Sequence, residues 1–166
     1  MQRVLRDEIL QAAAPFLVIT KEEILMSVEE NKTLVRHFIE AFNTGNLAIV
    51  DEIVATDFVL HDTFLPEEIR GIEGAKQWVN MTRAAFPDIR VTILDLVAEG
   101  DKVTKHFTLS GTHKGDFRGI PPTGKQATLE LAISIYRFTG GKIAEIWMGY
   151  NALLIMQQLG VIPTPE

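Results

Sequence analysis

The order of the periodic segments predicts an α+β fold, in which helices come first and a mostly antiparallel sheet follows. Apolar residues recur at helical spacing through much of the first half of the chain, whereas residues 90–151 alternate between apolar and polar positions. Turn residues such as Gly140-Gly141 separate the alternating segments closely enough for hairpins. Because a curved sheet can wrap helices packed on one of its faces, we expect a pocket between the two layers.

Three helices are predicted before the sheet. The first should start near Ser27, because Ser27-x-x-Glu30 is a capping box and a stripe of apolar residues at helical spacing follows it. Asn46 is placed to cap a short second helix. The third is predicted over residues 73–86, and a short apolar helix over residues 152–159 should close the fold.

Residues 1–25 have a helical spacing of their own, which Pro15 should end early. A further capping box, Thr20-x-x-Glu23, lies within this stretch. We therefore divide the chain into an N-terminal helical extension, residues 1–25, and a main domain, residues 26–166.

Strands are predicted over residues 90–99, 104–112 and 127–138, with a further one after Gly140-Gly141. In the strand over residues 127–138, alternation places one set of side chains on one face (Thr128, Glu130, Ala132, Ser134 and Tyr136). The other face is apolar (Leu129, Leu131, Ile133 and Ile135), and Trp147 should join it. Because monomers seldom expose a large apolar patch, we predict a homodimer through this convex face of the sheet. The alternative is that residues 1–25 cover part of this face.

Composition excludes some classes of partner. The net charge of −6 over 166 residues, without a basic stripe, argues against nucleic acid. No apolar run reaches the roughly 18 residues that a membrane span requires, so no membrane partner is expected. The absence of cysteine rules out disulfides and is typical of a reducing compartment, which predicts a cytoplasmic location.

Several segments together resemble the SnoaL-like polyketide cyclases and predicted ester cyclases, which have the cone-shaped nuclear transport factor 2-like fold. The resemblance spans roughly residues 26–161, and the segments that carry it are LVRHFIEAFNTGN, ATDFVLHD, RAAFPDIRVTILDLVAEGDKV, GTHKGDFRGIPPTGK, IYRFTGGKIAEIW and LLIMQQLG. It implies a cone of helices on a curved sheet with an internal pocket. It also implies ring closure of a polyketide ester, with no metal and no organic cofactor.

The chain departs from the family pattern at three positions. The resemblance implies an acid–base Asp one residue after Trp147, a His or Asp at the position of Ser134, and a His directly before the Trp. The residues found there are Met148, Ser134 and Ile146. A thioether cannot exchange a proton, so we expect the ordinary aldol cyclase mechanism to be missing.

Glu130, His113 and Ser134 are the remaining candidates for catalysis. Glu130 shares a predicted strand face with Ser134, and a carboxylate in an apolar pocket can act as an acid or base near neutral pH. The competing interpretation is a solvated Glu130, or one paired with Lys125. His113 is predicted to point inward at the end of its strand, and its alternative role is a hydrogen bond that organises the GIPPTG loop.

The substrate-binding candidates are mainly apolar. The resemblance implies that Phe42 and Trp78 line the pocket, although both also fit plain core packing. His61 begins a loop that can reach the pocket mouth, and alternation directs it and Asp62 to opposite faces. The remaining candidates are Phe107, Tyr136, Ile146 and Met148. No cluster of His and Asp with metal-ligand spacing is visible, so no metal site is predicted.

Three functions remain open. The first is a cofactor-free isomerase, cyclase or lyase that uses acid–base catalysis on a small hydrophobic carbonyl compound. The second is a binding or assembly module without chemistry, favoured by the three departures at Ser134, Ile146 and Met148. The third is an epoxide hydrolase, which needs an Asp-Arg-Asp network that the inward positions do not supply.

Overall fold

The computed structural model describes residues 21–164, and their side chains from Ser27 onward. Helices pack against a six-stranded sheet. The helices are α1 (Lys21–Thr44), α2 (Ala48–Ile53), α3 (Gly71–Ala85) and α4 (Ala152–Gln158). The strands are β1 (Val54–Asp62), β2 (Ile69–Arg70), β3 (Arg90–Glu99), β4 (Lys102–Thr112), β5 (Gln126–Thr139) and β6 (Lys142–Tyr150). No helix of this part of the chain is long and apolar enough to cross a membrane.

The strand order in the sheet is β2-β1-β6-β5-β4-β3. Strands β3 to β6 form an antiparallel meander, β2 is antiparallel to β1, and β1 runs parallel to β6. Gly140 and Gly141, with φ angles of 57° and 72°, form the β5–β6 hairpin that needs two left-handed residues. The predicted α+β architecture is therefore confirmed.

The first helix differs from its prediction. It begins at Lys21, and Ser27 lies inside it rather than at its start. No Gly or Pro interrupts residues 21–27, so the helix continues through the Ser-x-x-Glu pattern, which is then an ordinary surface turn of helix. The division at residues 25 and 26 falls within this helix and stays a prediction. The helix predicted in the N-terminal extension falls on residues 1–20, outside the described residues.

A β-bulge in β5 changes which side chains face the helices. Phe107 on β4 pairs with Ala132, but Leu109 pairs with Leu129, so two residues of β5 stand opposite one residue of β4. As a result Leu129 is buried on the inner face, whereas Glu130 and Leu131 both lie exposed. The predicted inward direction of Glu130 and outward direction of Leu129 are therefore wrong.

Candidate active site

A cavity lies between the inner face of the sheet and helices α1, α3 and α4. Its volume is about 90 Å³ for the centre of a water-sized sphere, within about 830 Å³ of atom-free space that includes open solvent. Aromatic and aliphatic side chains form most of its wall, including Phe38, Phe42, Trp78, Phe107, Leu129 and Ile155. Its charged lining residues, among those described, are Asp62, Lys105 and Arg118. An apolar cavity with a few converging polar groups is typical of a small-molecule site.

One row of side chains runs beneath this cavity over four neighbouring strands, and three of its four members line the cavity. Lys105 of β4 pairs with Ser134 of β5, Ser134 pairs with Met148 of β6, and Met148 pairs with Asp62 of β1. Directly paired residues point to the same face, so the four side chains all face inward. Three strand spacings separate the two ends of this inner row, which places the Cα atoms of Asp62 and Lys105 about 14 Å apart.

Asp62 is held on several sides at one end of the inner row. Its side chain is 1% exposed, and its Oδ1 accepts hydrogen bonds from the Phe64 backbone N–H at 2.9 Å and the Tyr150 hydroxyl at 3.0 Å. Arg118 Nη2 donates to Oδ2 at 2.9 Å. Burial, together with the charge of Asp62, raises the pKa of the Tyr150 phenol, so this hydroxyl remains a donor at neutral pH.

Arg118 reaches Asp62 from the loop between β4 and β5. Its φ of 57° makes it the one non-glycine residue with positive φ among those described. Its guanidinium lies 4.6 Å from the ring centroid of Phe64 and 5.2 Å from that of Phe117. The two rings and the carboxylate therefore fix an Arg whose backbone conformation is unfavourable, and strain of this kind is concentrated at functional sites.

Lys105 lies at the other end of the inner row and is 2% exposed. Its Nζ sits 3.8 Å from the ring centroid of Phe107 and 5.4 Å from that of Tyr136. Burial lowers the pKa of the Lys105 amine to about 7, so a large share of it is neutral at physiological pH. Sequence reasoning missed this residue, although Lys105 has the same strand parity as the inward-facing Phe107 and alternation was sufficient to find it.

Most of the apolar candidates lie where they were expected. Phe42, Trp78, Phe107, Tyr136 and Met148 all line the cavity. Phe42 and Trp78 contact each other edge to face, with ring centroids 4.7 Å apart, so they are both wall and core. Phe42 and Trp78 therefore both line the cavity and pack in the core, and their role in substrate binding stays a prediction.

Glu130, Ser134 and Ile146 do not line the cavity. Glu130 is exposed on the outer side of the bulge, so the basis for its role as a buried base is lost. Ser134 is buried in the inner row, and Ile146 is buried in the core. Neither the Ser134 hydroxyl nor the Ile146 side chain is among the cavity-lining groups.

His61 lies on the outer face of the sheet and does not line the cavity, although it lines a neighbouring cleft that shares Asp62 and Met148 with the cavity. Its ring stacks on Trp147, and its Nδ1 and Nε2 lie 2.9 Å from Glu68 and 2.7 Å from Glu145. Arg137 Nη2 forms a further salt bridge with Glu145, at 2.8 Å. Burial opposes ionisation of Glu145, but the hydrogen bonds from His61 and Arg137 outweigh it and lower the pKa of Glu145. Alternation in β1 explains the placement, because Asp62 takes the inner face.

His113 is fully buried and organises the loop between β4 and β5. Its Nδ1 accepts the Thr123 backbone N–H at 3.3 Å and lies 3.1 Å from the Thr123 hydroxyl, and its ring stacks on Phe86. The chain passes so close to α3 that a Cβ on Gly115 would lie 2.2 Å from the carbonyl oxygen of Ala84. His113 is thus a loop-organising residue behind the cavity wall, as the alternative interpretation proposed, and it is not among the cavity-lining residues.

Comparison with known proteins agrees with the fold and the cavity. A family model described as SnoaL-like polyketide cyclase matches residues 32–159. The chain belongs to the SnoaL-like polyketide cyclase family. The aklanonic acid methyl ester cyclase DauD of Streptomyces sp. (strain C5) is 32% identical over 143 residues, covering 80% of this chain and 84% of DauD.

Two further relatives support membership in the SnoaL-like family. The nogalonic acid methyl ester cyclase of Streptomyces nogalater is 30% identical over 125 residues, covering 74% of this chain and 91% of that enzyme. The solved structure of IdmH from Streptomyces antibioticus aligns with a TM-score of 0.66 at 32% identity, covering 78% of this chain and 98% of IdmH. Within the described residues of this SnoaL-like chain, no group of three or more His, Asp or Glu side chains is arranged to hold a metal ion.

Proposed function

We propose that this SnoaL-like protein is a cofactor-free enzyme that closes or isomerises a hydrophobic, carbonyl-containing molecule by moving protons. The two named relatives are cyclases of aklanonic acid methyl ester and nogalonic acid methyl ester. The matching family model is that of polyketide cyclases, so we extend a substrate of this type, a polyketide methyl ester, to this chain. The mostly apolar wall of the cavity suits such a ligand, and the polar groups at its floor suit carbonyl oxygens. A lyase reaction on the same class of molecule would use the same groups.

The observation that carries this proposal is the position of Asp62. The family resemblance puts the acid–base Asp at Met148, and Asp62 is the residue directly paired with Met148 on the neighbouring strand. Paired side chains of adjacent strands face the same way about 5 Å apart. A carboxylate is therefore present one strand away from its expected position, and it faces the same cavity. The absence of an Asp at position 148 does not remove acid–base chemistry from this fold.

In the proposed reaction the Asp62 carboxylate removes a proton from the carbon next to a carbonyl group. The electrons move onto the carbonyl oxygen, where an N–H of Arg118 not engaged by Asp62 stabilises the negative charge. The enolate carbon attacks a second carbonyl of the same molecule and forms the ring bond. The alkoxide that results takes the proton back from Asp62, so the product has the same formula as the substrate.

The second candidate is a binding module that holds the same type of ligand without changing it. The pairing of Asp62 with Arg118 favours this candidate, because both carboxylate oxygens already accept hydrogen bonds from protein groups. The epoxide hydrolase interpretation requires a second carboxylate beside the Arg. Among the described residues that line the cavity, Asp62 is the single acidic one.

The test is ring closure of a panel of polyketide methyl esters and β-dicarbonyl compounds, followed by chromatography and mass spectrometry. We expect a product of unchanged mass, and a rate about 10²–10⁴-fold lower for Asp62→Asn. Glu130→Gln is the matched control, since Glu130 is exposed on the opposite side of the sheet, and it should retain the native rate. Tight binding without turnover would favour the binding module, and equal rates for the native protein and Asp62→Asn would contradict the role of Asp62.

We also propose that the protein works as a homodimer in the cytoplasm. The outer face exposes Leu131, Ile133 and Ile135 to 63%, 45% and 38%, and an apolar patch of this kind is typical of an interface. The lack of cysteine suits a reducing compartment.

A further inference from the structure

Lys105 has no role in the proton transfer proposed for Asp62, yet it is the most unusual ionisable group in the cavity. We propose that the Lys105 amine is a nucleophile that forms an imine with a ketone or aldehyde group of a hydrophobic ligand. The inference rests on the hydrophobic carbonyl ligand of the proposed function, and it adds a covalent step that ring closure by Asp62 does not require.

The geometry around Nζ supports a reactive amine rather than a structural cation. Within residues 27–164 no carboxylate lies in salt-bridge distance of Lys105 Nζ. The faces of Phe107 and Tyr136 are its nearest aromatic neighbours, at 3.8 Å and 5.4 Å from the ring centroids. Lys105 is also one of the residues that line the cavity. A buried Lys is normally paired with a counter-ion, and the part of the chain that the structure describes supplies none for Lys105.

The apolar surroundings of Lys105 raise the fraction of the amine that is neutral, and therefore nucleophilic, at neutral pH. Burial lowers its pKa to about 7 from an ordinary value of 10.5. Among the described residues, the other titratable groups that line the cavity are Asp62, Arg118, Tyr136 and Tyr150. Asp62 lies about 14 Å away along the inner row and is hydrogen-bonded to Arg118 and Tyr150. Helix α1 faces the cavity with Phe38, Ile39 and Phe42, none of which can be ionised. Desolvation of this kind is how lysine amines become nucleophiles at neutral pH.

The chemistry of the step balances without a cofactor. The lone pair of Nζ attacks the carbonyl carbon, and the oxygen takes up a proton to give a carbinolamine. The C–O bond then breaks, water leaves, and a protonated imine remains. The positive nitrogen makes the neighbouring C–H bond more acidic, and hydrolysis with one water molecule restores the free amine and the carbonyl. The class of ligand is therefore a hydrophobic ketone, aldehyde or β-diketone that can place its carbonyl group over Phe107.

The test is reductive trapping with 2-octanone, a hydrophobic ketone, and sodium cyanoborohydride on the full-length protein. We expect one adduct per chain, located by peptide mapping at Lys105, and at least a tenfold lower yield from Lys105→Met. Lys102→Met is the matched control, because Lys102 is an exposed lysine of the same strand. The trapping rate should rise through pH 7 and level off above it, whereas surface lysines keep gaining reactivity toward about pH 10.4.

The outcomes separate this inference from the proposed function. Equal labelling of the native protein and Lys105→Met, or a labelling rate at Lys105 no higher than at surface lysines, would overturn the imine. Ring closure that depends on Asp62 but not on Lys105, without an adduct, would overturn the imine and leave the proposed function intact. An adduct at Lys105 in a protein without ring closure would support the imine and count against the proposed function.

Discussion

Two rows of side chains cross the same four strands on opposite faces of the sheet, and they have opposite character. The inner row is Lys105, Ser134, Met148 and Asp62. Each of its members has a neighbour in sequence that belongs to the outer row, and these are Thr104, Ile135, Trp147 and His61. Moving by one residue along each strand thus changes from a side chain that faces the cavity side to one on the outer surface.

The comparison shows on which face of the sheet an ion pair contributes more to stability and activity. Each face carries an acid paired with an arginine: Asp62 of the inner row pairs with Arg118, and Glu145, which contacts His61 of the outer row, pairs with Arg137. The Asp62 side chain is 1% exposed, whereas those of Glu145 and Arg137 are 19% and 34% exposed. Solvent and salt screen the outer pair, whereas the low dielectric of the cavity strengthens every interaction of the inner one. We therefore expect the inner ion pair to matter for both stability and activity, and the outer pair for neither to a large degree.

We expect the largest difference between the two faces in the free energy of unfolding when one arginine is removed from each. Arg118→Met leaves Asp62 as a buried charge without its counter-ion and should lower the free energy of unfolding by about 3 kcal/mol. Arg137→Met should lower it by about 0.2–1 kcal/mol, the range typical of exposed pairs. Urea denaturation of both variants measures the difference. Equal losses would show that the two faces do not differ as described.

Replacing Lys105 should raise the free energy of unfolding rather than lower it, because a charged Lys105 destabilises the folded protein when it is buried. Its pKa is about 7 when folded and 10.5 when unfolded, so the unfolded chain binds more protons between these values. The native stability should therefore rise as the pH is raised from 7 to 10.5. Lys105→Met should be more stable by roughly 5 kcal/mol at pH 6, because each unit of the pKa difference is worth about 1.36 kcal/mol, and the gain should vanish near pH 10.5. Denaturation midpoints across pH measure this, and a constant difference between the two proteins would contradict it.

The outer face supplies a weaker test, which concerns assembly. If Ile133 and Ile135 lie in a dimer interface, Ile133→Lys with Ile135→Lys should convert dimer to monomer, because a buried interface does not tolerate unpaired charges. The cavity faces the other way, so the fold should remain intact by circular dichroism. Light scattering that gives a monomer mass for the native protein at micromolar concentration would contradict the dimer.

Alternation in the sequence predicted the sheet well and the site only in part. Strand β3 was predicted over residues 90–99 and is found as Arg90–Glu99, and the opposite directions of His61 and Asp62 were also predicted correctly. The bulge could not be read from the sequence, because an extra residue in β5 leaves no local signal and reverses the direction of Glu130. The contact of Arg118 with Asp62 joins residues 56 apart through a left-handed Arg that no pattern indicates. By contrast, the inward direction of Lys105 follows from the alternation of residues in β4 alone.

The measurement that tests the central claim most directly is exchange of carbon-bound hydrogen in D₂O. The native protein is mixed with a polyketide methyl ester or a hydrophobic β-dicarbonyl compound, and NMR follows the signal of the proton next to the carbonyl group. If Asp62 removes this proton, the native protein and Glu130→Gln should exchange it at the same rate, and Asp62→Asn should be slower by about 10²–10⁴-fold. Exchange by Asp62→Asn at the native rate would contradict the claim that Asp62 performs the chemistry of this cavity.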